Sequence, residues 1–278
     1  MTFVVPAALG SALAAATSSV LQHRSARTAP VAGRAAGRLL GHLVTRPVWL
    51  AGLGAGAAGL VLHALALSGG RLAVVQPLLV SGMLFALPVS VVLEGRRPSP
   101  VAWVWAVVLV GGLAAFLLAG RPSAGRVAAD TDVLAVATIA GSGAMALIGF
   151  AGHRWSRRHA APLLGLAAGI GYGIVAALMK QTTSVALRGP VALVTTWPLY
   201  GLAAVGAVTL AVTQLAYRAG PLARSLPALT VVDPAASVAV GAAVFHERLT
   251  QTPGALAVEV MGFALMAGAS VVLARYES

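Results

Sequence analysis

Residues 66–77 read A-L-S-G-G-R-L-A-V-V-Q-P, and residues 216–227 read A-Y-R-A-G-P-L-A-R-S-L-P. The two stretches match at Ala66/Ala216, Gly70/Gly220, Leu72/Leu222, Ala73/Ala223 and Pro77/Pro227, all at an offset of 150 residues. In a chain rich in Ala and Leu, some of these matches arise easily by chance, but a Gly and a Pro at fixed spacing do not. Each copy closes one long apolar segment, turns at its Gly, and opens a second apolar segment with a Pro in its first two turns. Both second segments run to a charged stop, Glu94-Gly95-Arg96-Arg97 and His246-Glu247-Arg248, followed by a Pro and a third apolar segment. The pattern is that of an internal repeat of several apolar segments.

Composition fixes the solvent. Apolar residues make up 59% of the 278, charged residues 9%, and the mean hydropathy is +0.90. A soluble domain carries roughly 25% charged residues, so this chain cannot cover itself with a hydrated surface. The expected class is an all-α polytopic membrane helix bundle. A net charge of +12 would suggest nucleic acid in a soluble protein. Here the basic residues sit in short gaps between apolar runs, as charge-biased membrane topology requires, and no nucleic acid is expected. The absence of Cys excludes disulfides and thiolate chemistry.

Nine segments approach the ~20 residues that a bilayer requires: 3–21, 48–67, 72–93, 101–119, 133–152, 162–180, 197–217, 222–245 and 254–273. The first lacks the basic leading region of a signal peptide and is read as a retained span. Thirteen Lys and Arg fall on one side of these spans and six on the other. The thirteen-residue side is therefore expected in the cytoplasm, with the N-terminus outside and the C-terminus inside the inner membrane. The two copies of the repeat lie five spans apart, an odd number, so they must be oppositely oriented. Residues 1–119 then form a first four-helix repeat, 120–160 a connecting transmembrane helix, and 161–278 a second four-helix repeat.

Between spans one and two lies a basic cytoplasmic loop, 23–46, in which Arg34, Arg38, His42 and Arg46 recur every fourth residue. It reads as an ordinary positive-inside loop or as a helix lying on the anionic inner leaflet. Gly54-Ala55-Gly56-Ala57-Ala58-Gly59 fits the dinucleotide pattern G-x-G-x-x-G, but that fingerprint needs a preceding strand and a soluble helix. This one lies inside an apolar span. Gly52 and Gly56, like Gly165, Gly169 and Gly173, have instead the i, i+4 spacing that lets membrane helices approach closely.

The prolines and the intramembrane polar residues are the candidates for function. Pro77 and Pro88 are expected to interrupt span three, and Pro227 and Pro234 to interrupt span eight. Each removes a backbone donor and frees a carbonyl, which a polar cavity satisfies and lipid does not. His63, Gln76, Lys180 and Glu259 all fall one to two turns below the outer boundary. At that shared depth Lys180 and Glu259 are expected to form an ion pair or to line a vestibule. Asp233 lies near the midplane with no basic residue at its depth. Such a carboxylate costs at least ~2.5 kcal/mol on insertion scales and normally faces a pathway. An intramembrane enzyme should place a His with an Asp or Glu at one depth, whereas His63 and Asp233 differ in depth. No enzymatic activity and no cofactor are expected.

This arrangement resembles the drug/metabolite transporter superfamily (EamA-like), in which an Ala-Leu pair, a Gly turn, a Pro-bearing helix and a Glu-Arg stop recur in each half. It is most similar to the NIPA-type magnesium transporters. The resembling stretches are Ser18-Ser19-Val20-Leu21-Gln22, Gly41-His42-Leu43, Val75-Gln76-Pro77-Leu78 and Gln214-Leu215-Ala216-Tyr217. Where that family usually has Gly-Glu in the second span, this chain has Gly59-Leu60, leaving Asp233 as the metal candidate. The resemblance implies nine spans and transport of small solutes or cations by alternating access, with magnesium or another divalent cation as one cargo. A proton-coupled drug or metabolite exporter and a non-transporting scaffold are the alternatives. Asp233, Gln76, Pro77, Pro227 and Pro234 are the expected substrate or coupling-ion site. The expected partners are the solute or cation and the lipid bilayer, with a homodimer left open.

Overall fold

A computed structural model of the protein describes residues 3–27, 46–94, 99–121, 125–154, 157–219, 222–248 and 252–276. The described residues form eleven helices and no strand. These are α1 (Val4–Arg27), α2 (Pro47–Gly69), α3 (Leu72–Val80), α4 (Gly82–Glu94), α5 (Pro100–Gly120), α6 (Thr131–Arg154), α7 (Arg157–Ala186), α8 (Pro190–Thr195), α9 (Trp197–Ala219), α10 (Leu222–Phe245) and α11 (Pro253–Tyr276). Arg34, Arg38 and His42, the charged stop at Arg96 and Arg97, and the second turn glycine, Gly220, lie outside the described residues.

Local chemistry sets the helix starts. Pro47, Pro100, Pro190 and Pro253 each occupy a first helical position, where the missing N–H is not needed and φ is already helical. Ser99 caps α5 by accepting a hydrogen bond from the Ala102 N–H at 3.2 Å, and Thr252 caps α11 by accepting from the Ala255 N–H at 3.3 Å. Gly70, between α2 and α3, has ordinary extended dihedrals; it is required because a Cβ would collide with the Ala66 carbonyl, Val4 and Val75.

Six helical stretches are long and apolar enough to cross a membrane: Val4–Leu21, Pro47–Gly69, Pro100–Gly120, Thr131–Gly152, His159–Ala186 and Pro253–Leu273. They carry large apolar side chains on their outer faces, among them Val107, Leu118, Ile139 and Leu147, each more than 70% exposed. A water-facing surface of that kind would associate, whereas hydrocarbon accepts it. The protein is a membrane-embedded helical bundle. The remaining three expected spans differ from a single long apolar helix. Span three is two helices, α3 and α4, separated at Ser81, whose hydroxyl donates to the Leu78 carbonyl at 2.6 Å. That local bond competes with the helical ladder at the Leu78 carbonyl. The apolar parts of α9 and α10 are shorter, Trp197–Thr213 and Val231–Phe245.

Span eight departs from expectation in a second way. α10 runs unbroken through both Pro227 and Pro234. A proline removes one hydrogen bond and bends a helix without ending it unless neighbouring residues offer the backbone another partner. Ser81 supplies that partner in span three. In span three the helices likewise run through Pro77 and Pro88, so the single break there lies at Ser81 and at neither proline, and the expected matching proline breaks are not found.

Helices cannot be driven together by hydrophobicity in lipid, so close backbone approach at small residues holds them. α1 lies on α2, where Ser18 and Ser11 hydroxyls donate to the Gly52 and Gly59 carbonyls at 2.7 and 2.8 Å. A Cβ on Gly56 would sit 2.9 Å from the Ser18 hydroxyl. α5 lies on α11, with Gly112 and Gly262 facing each other's backbone, each 2.7 Å from the other's carbonyl at the Cβ position. α7 is the most enclosed span and packs on α6, α9 and α10. The glycines of spans two and six thus serve helix contact.

Candidate functional site

Asp233 is placed by glycine. On α7, Gly169 and Gly173 let α10 approach until Val232 and Ala236 occupy the space where their Cβ atoms would be, at 2.7 Å in both cases. The backbone nitrogens of Asp233 and Ser237 lie 3.0 Å from those same positions. Asp233, the twelfth residue of the 24-residue α10, is thereby fixed midway along the α7–α10 contact. Its Oδ1 accepts a hydrogen bond from the Ser237 hydroxyl, one turn on, at 3.3 Å. Pro234, beside it, is buried against the end of α3 at Val80.

A second polar group is built at the end of the bundle that carries the fewer basic residues. α10 stops at Phe245, and His246 takes left-handed backbone dihedrals with φ of 54°. That turn tucks Glu247 back into the protein, with its N–H donating to the Gly241 carbonyl at 3.0 Å. Gly241 is needed there, since a Cβ would lie 2.7 Å from Glu247 Oε2. The carboxylate then accepts three hydrogen bonds. Oε1 receives the Leu72 N–H at 2.9 Å and the Lys180 ammonium at 2.6 Å, and Oε2 receives the Ala73 N–H at 3.0 Å. Free N–H groups and the positive end of the helix dipole make the first turn of α3 a natural place for a carboxylate. The Lys180 nitrogen also stands 4.3 Å from the centre of the Phe245 ring, within cation–π range. One side chain so joins α10, α3 and α7.

Around this ion pair the connecting segments are tied in. The Arg126 N–H donates to the Phe245 carbonyl at 2.6 Å. Gln181, next to Lys180, holds Ala129 through its amide, accepting from the N–H at 2.8 Å. One turn into α3, the buried Gln76 amide lies 3.3 Å from His63 Nε2 on α2. Pro77 is buried beside it.

The expected site residues therefore separate into three places. His63 and Gln76 meet each other, Asp233 meets Ser237, and no hydrogen bond joins the two groups among the described residues. Pro227 lies in the second turn of α10. The expected pairing of Lys180 with Glu259 is not found: Lys180 binds Glu247. Equal depth does not decide a pair. Glu259 sits on α11, which lies on α5 and α10, whereas Lys180 sits on α7 and points to the α3–α10 junction. Glu247 was the residue that sequence reasoning missed, because it stands where a charged stop is expected. The available signal was a carboxylate on the same side of the bundle as the single lysine, a signal that Asp130 and Asp132 share. Among the described residues, no three His, Asp or Glu side chains stand together as a metal-binding group.

No family profile matches the chain, and no solved structure matches it. Over 242 residues, 87% of this chain and 84% of its relative, it is 30% identical to the uncharacterized protein Cgl0250/cg0304 of Corynebacterium glutamicum. The chain belongs to that protein's family. With 87% of the chain matched, the relationship includes helices on both sides of α6.

Proposed function

We propose that the protein is a multi-pass inner-membrane secondary transporter of small solutes or cations, built as two inverted four-span repeats joined by α6 and working by alternating access. The observation that carries this reading is the matched packing of two sets of helices. α1 packs on α2 and on the α3–α4 pair, as α7 packs on α9 and α10, while the fourth members, α5 and α11, pack on each other. Repeats related by an axis in the membrane plane give this pattern. The resemblance to the drug/metabolite transporters, and within them to the NIPA type, supports the same arrangement. The thirteen-to-six distribution of basic residues supports an N-terminus outside and a C-terminus in the cytoplasm.

In this reading Asp233, held mid-helix on the α7–α10 contact with a single weak hydrogen-bond partner, takes up a proton or a cationic substrate. The Glu247–Lys180 pair closes the end of the bundle with fewer basic residues, and opening there requires α3, α7 and α10 to part. A bare divalent ion prefers several oxygen ligands, usually including one or two carboxylates. The described residues supply no such group, which favours an organic solute with proton coupling over magnesium. The test is uptake by proteoliposomes offered Mg²⁺, amines and metabolites, with and without a pH gradient. Accumulation of at least one solute that depends on the gradient and is lost in Asp233→Asn is the expected result. No uptake of any solute, or equal uptake by the variant, removes the reading.

A further inference from the structure

Glu259 stands in the second turn of α11 and is 4% exposed, with Oε1 buried and lacking a hydrogen-bond partner among the described residues. It lines a cleft of about 460 Å³ between α5, α10 and α11 whose other walls are apolar, including Phe116, Val231, Val260 and Phe263. The Phe116 and Phe263 rings lie 6.2 Å apart, tilted by 52°. α10 separates this cleft from Asp233. Val231, Ala235 and Val238 face the cleft, whereas Val232 and Ala236 face the glycines of α7. The lysine nearest in depth is already held by Glu247.

A carboxylate oxygen without a partner in apolar surroundings is costly, so its retention calls for a partner from outside the chain. A neutral apolar molecule would fill the cleft and leave the carboxylate unmatched. An inorganic cation needs several oxygen ligands, and the cleft offers one carboxylate. Aromatic faces, by contrast, attract organic cations and pack their apolar parts. We propose that the Glu259 cleft binds an amphiphilic organic monocation, its charge against Glu259 and its apolar body against the wall formed by Phe116 and Phe263. The site is distinct from Asp233, and binding at it does not depend on the protein being a transporter.

Equilibrium binding to the purified full-length chain in detergent tests this directly. Ethidium, a permanent aromatic cation, is titrated and followed by fluorescence anisotropy, with 6-phenylphenanthridine as an uncharged competitor of similar shape. Ethidium should bind saturably, and the neutral competitor should displace it poorly. Glu259→Gln should weaken ethidium binding by about tenfold or more, the loss of one charge-assisted contact. Asp132→Asn, exposed at the start of α6 and away from the cleft, should bind ethidium as the unaltered protein does. Ala264→Trp, which fills the cleft without touching the carboxylate, should also abolish binding, and it serves as the deciding variant if Glu259→Gln fails to fold. Unchanged affinity in either variant, or equal affinity for the neutral competitor, overturns the proposal.

Discussion

Two carboxylates, one midway along α10 and one just past its end, receive very different treatment. Glu247, just past the helix end, has an ammonium, two backbone N–H groups and a neighbouring aromatic ring, and its side chain is 2% exposed. Asp233, in the middle of the helix, has one hydroxyl at 3.3 Å. A buried charge that is fully matched rigidifies the elements around it. One that is barely matched is costly and persists where a ligand or proton completes it. In the proposed reading, the bundle end is structural and the bundle middle is the place of exchange.

The strongest way to break this contrast is at Glu247. Glu247→Ala leaves the Lys180 ammonium buried without its counter-charge and frees the first N–H groups of α3. Removing one partner of a buried pair costs about 3–5 kcal/mol, so the variant should show a large fall in unfolding midpoint in detergent. Adding Lys180→Met should restore much of that loss. A variant that melts with the unaltered protein would mean that the ion pair holds nothing together.

How far the sequence foretold these arrangements depends on how local each one is. The membrane class follows from composition, and the helix starts at Pro47, Pro100 and Pro253 follow from a residue type that fits that position alone. The glycine contacts at Gly52, Gly56, Gly169 and Gly173 were legible because their i, i+4 spacing lies within one helix. Glu247 was not legible. Its partners are 67 and about 175 residues away in sequence, and its inward turn depends on the left-handed backbone at His246. The same limit explains the misassigned partner of Lys180: depth along a helix can be counted from sequence, whereas the direction around it is set by packing. A proline alone predicts a break, yet α3, α4 and α10 run through theirs, and the one break lies at Ser81, where a hydroxyl offers the backbone a competing bond.

A smaller effect is expected at the glycine contacts that join helices away from both carboxylates. Gly262→Leu drives a side chain into the Gly112 carbonyl and the Phe116 backbone, at 2.7 and 2.8 Å from its Cβ, where no side chain can give way. Gly56→Leu meets the Ser18 hydroxyl at 2.9 Å and would displace its bond to Gly52. Overpacking of this kind costs about 1–3 kcal/mol, with Gly262→Leu the worse of the two. Gly254→Leu has nothing within 4 Å of its Cβ and is the matched control. Folded yield by size-exclusion chromatography should fall in the order Gly254→Leu, Gly56→Leu, Gly262→Leu. Equal yields would mean that the glycine spacing is incidental.

The smallest effect on stability, and the sharpest test of the contrast, concerns Ser237. Its hydroxyl is fully buried and donates to Asp233 Oδ1 over a long 3.3 Å. If the Asp233 carboxylate were a packing residue like Glu247, Ser237→Ala would leave a half-buried acceptor unmatched, and the cost would appear as about 1 kcal/mol or more of stability. If Asp233 instead exchanges a proton or a cation, its other oxygen is already served by that ligand in one state of the cycle. Removing a weak hydroxyl donor then costs under about 1 kcal/mol and acts on exchange. Ser237→Ala should therefore melt close to the unaltered protein while the apparent affinity for the transported solute changes severalfold. Asp233→Asn, nearly isosteric, should also melt close to it while losing gradient-driven uptake altogether. Thermal unfolding and proteoliposome uptake measured on the same preparations separate these outcomes. A large stability loss in both variants with unchanged uptake per folded molecule would place Asp233 beside Glu247 as a second structural carboxylate and end the contrast.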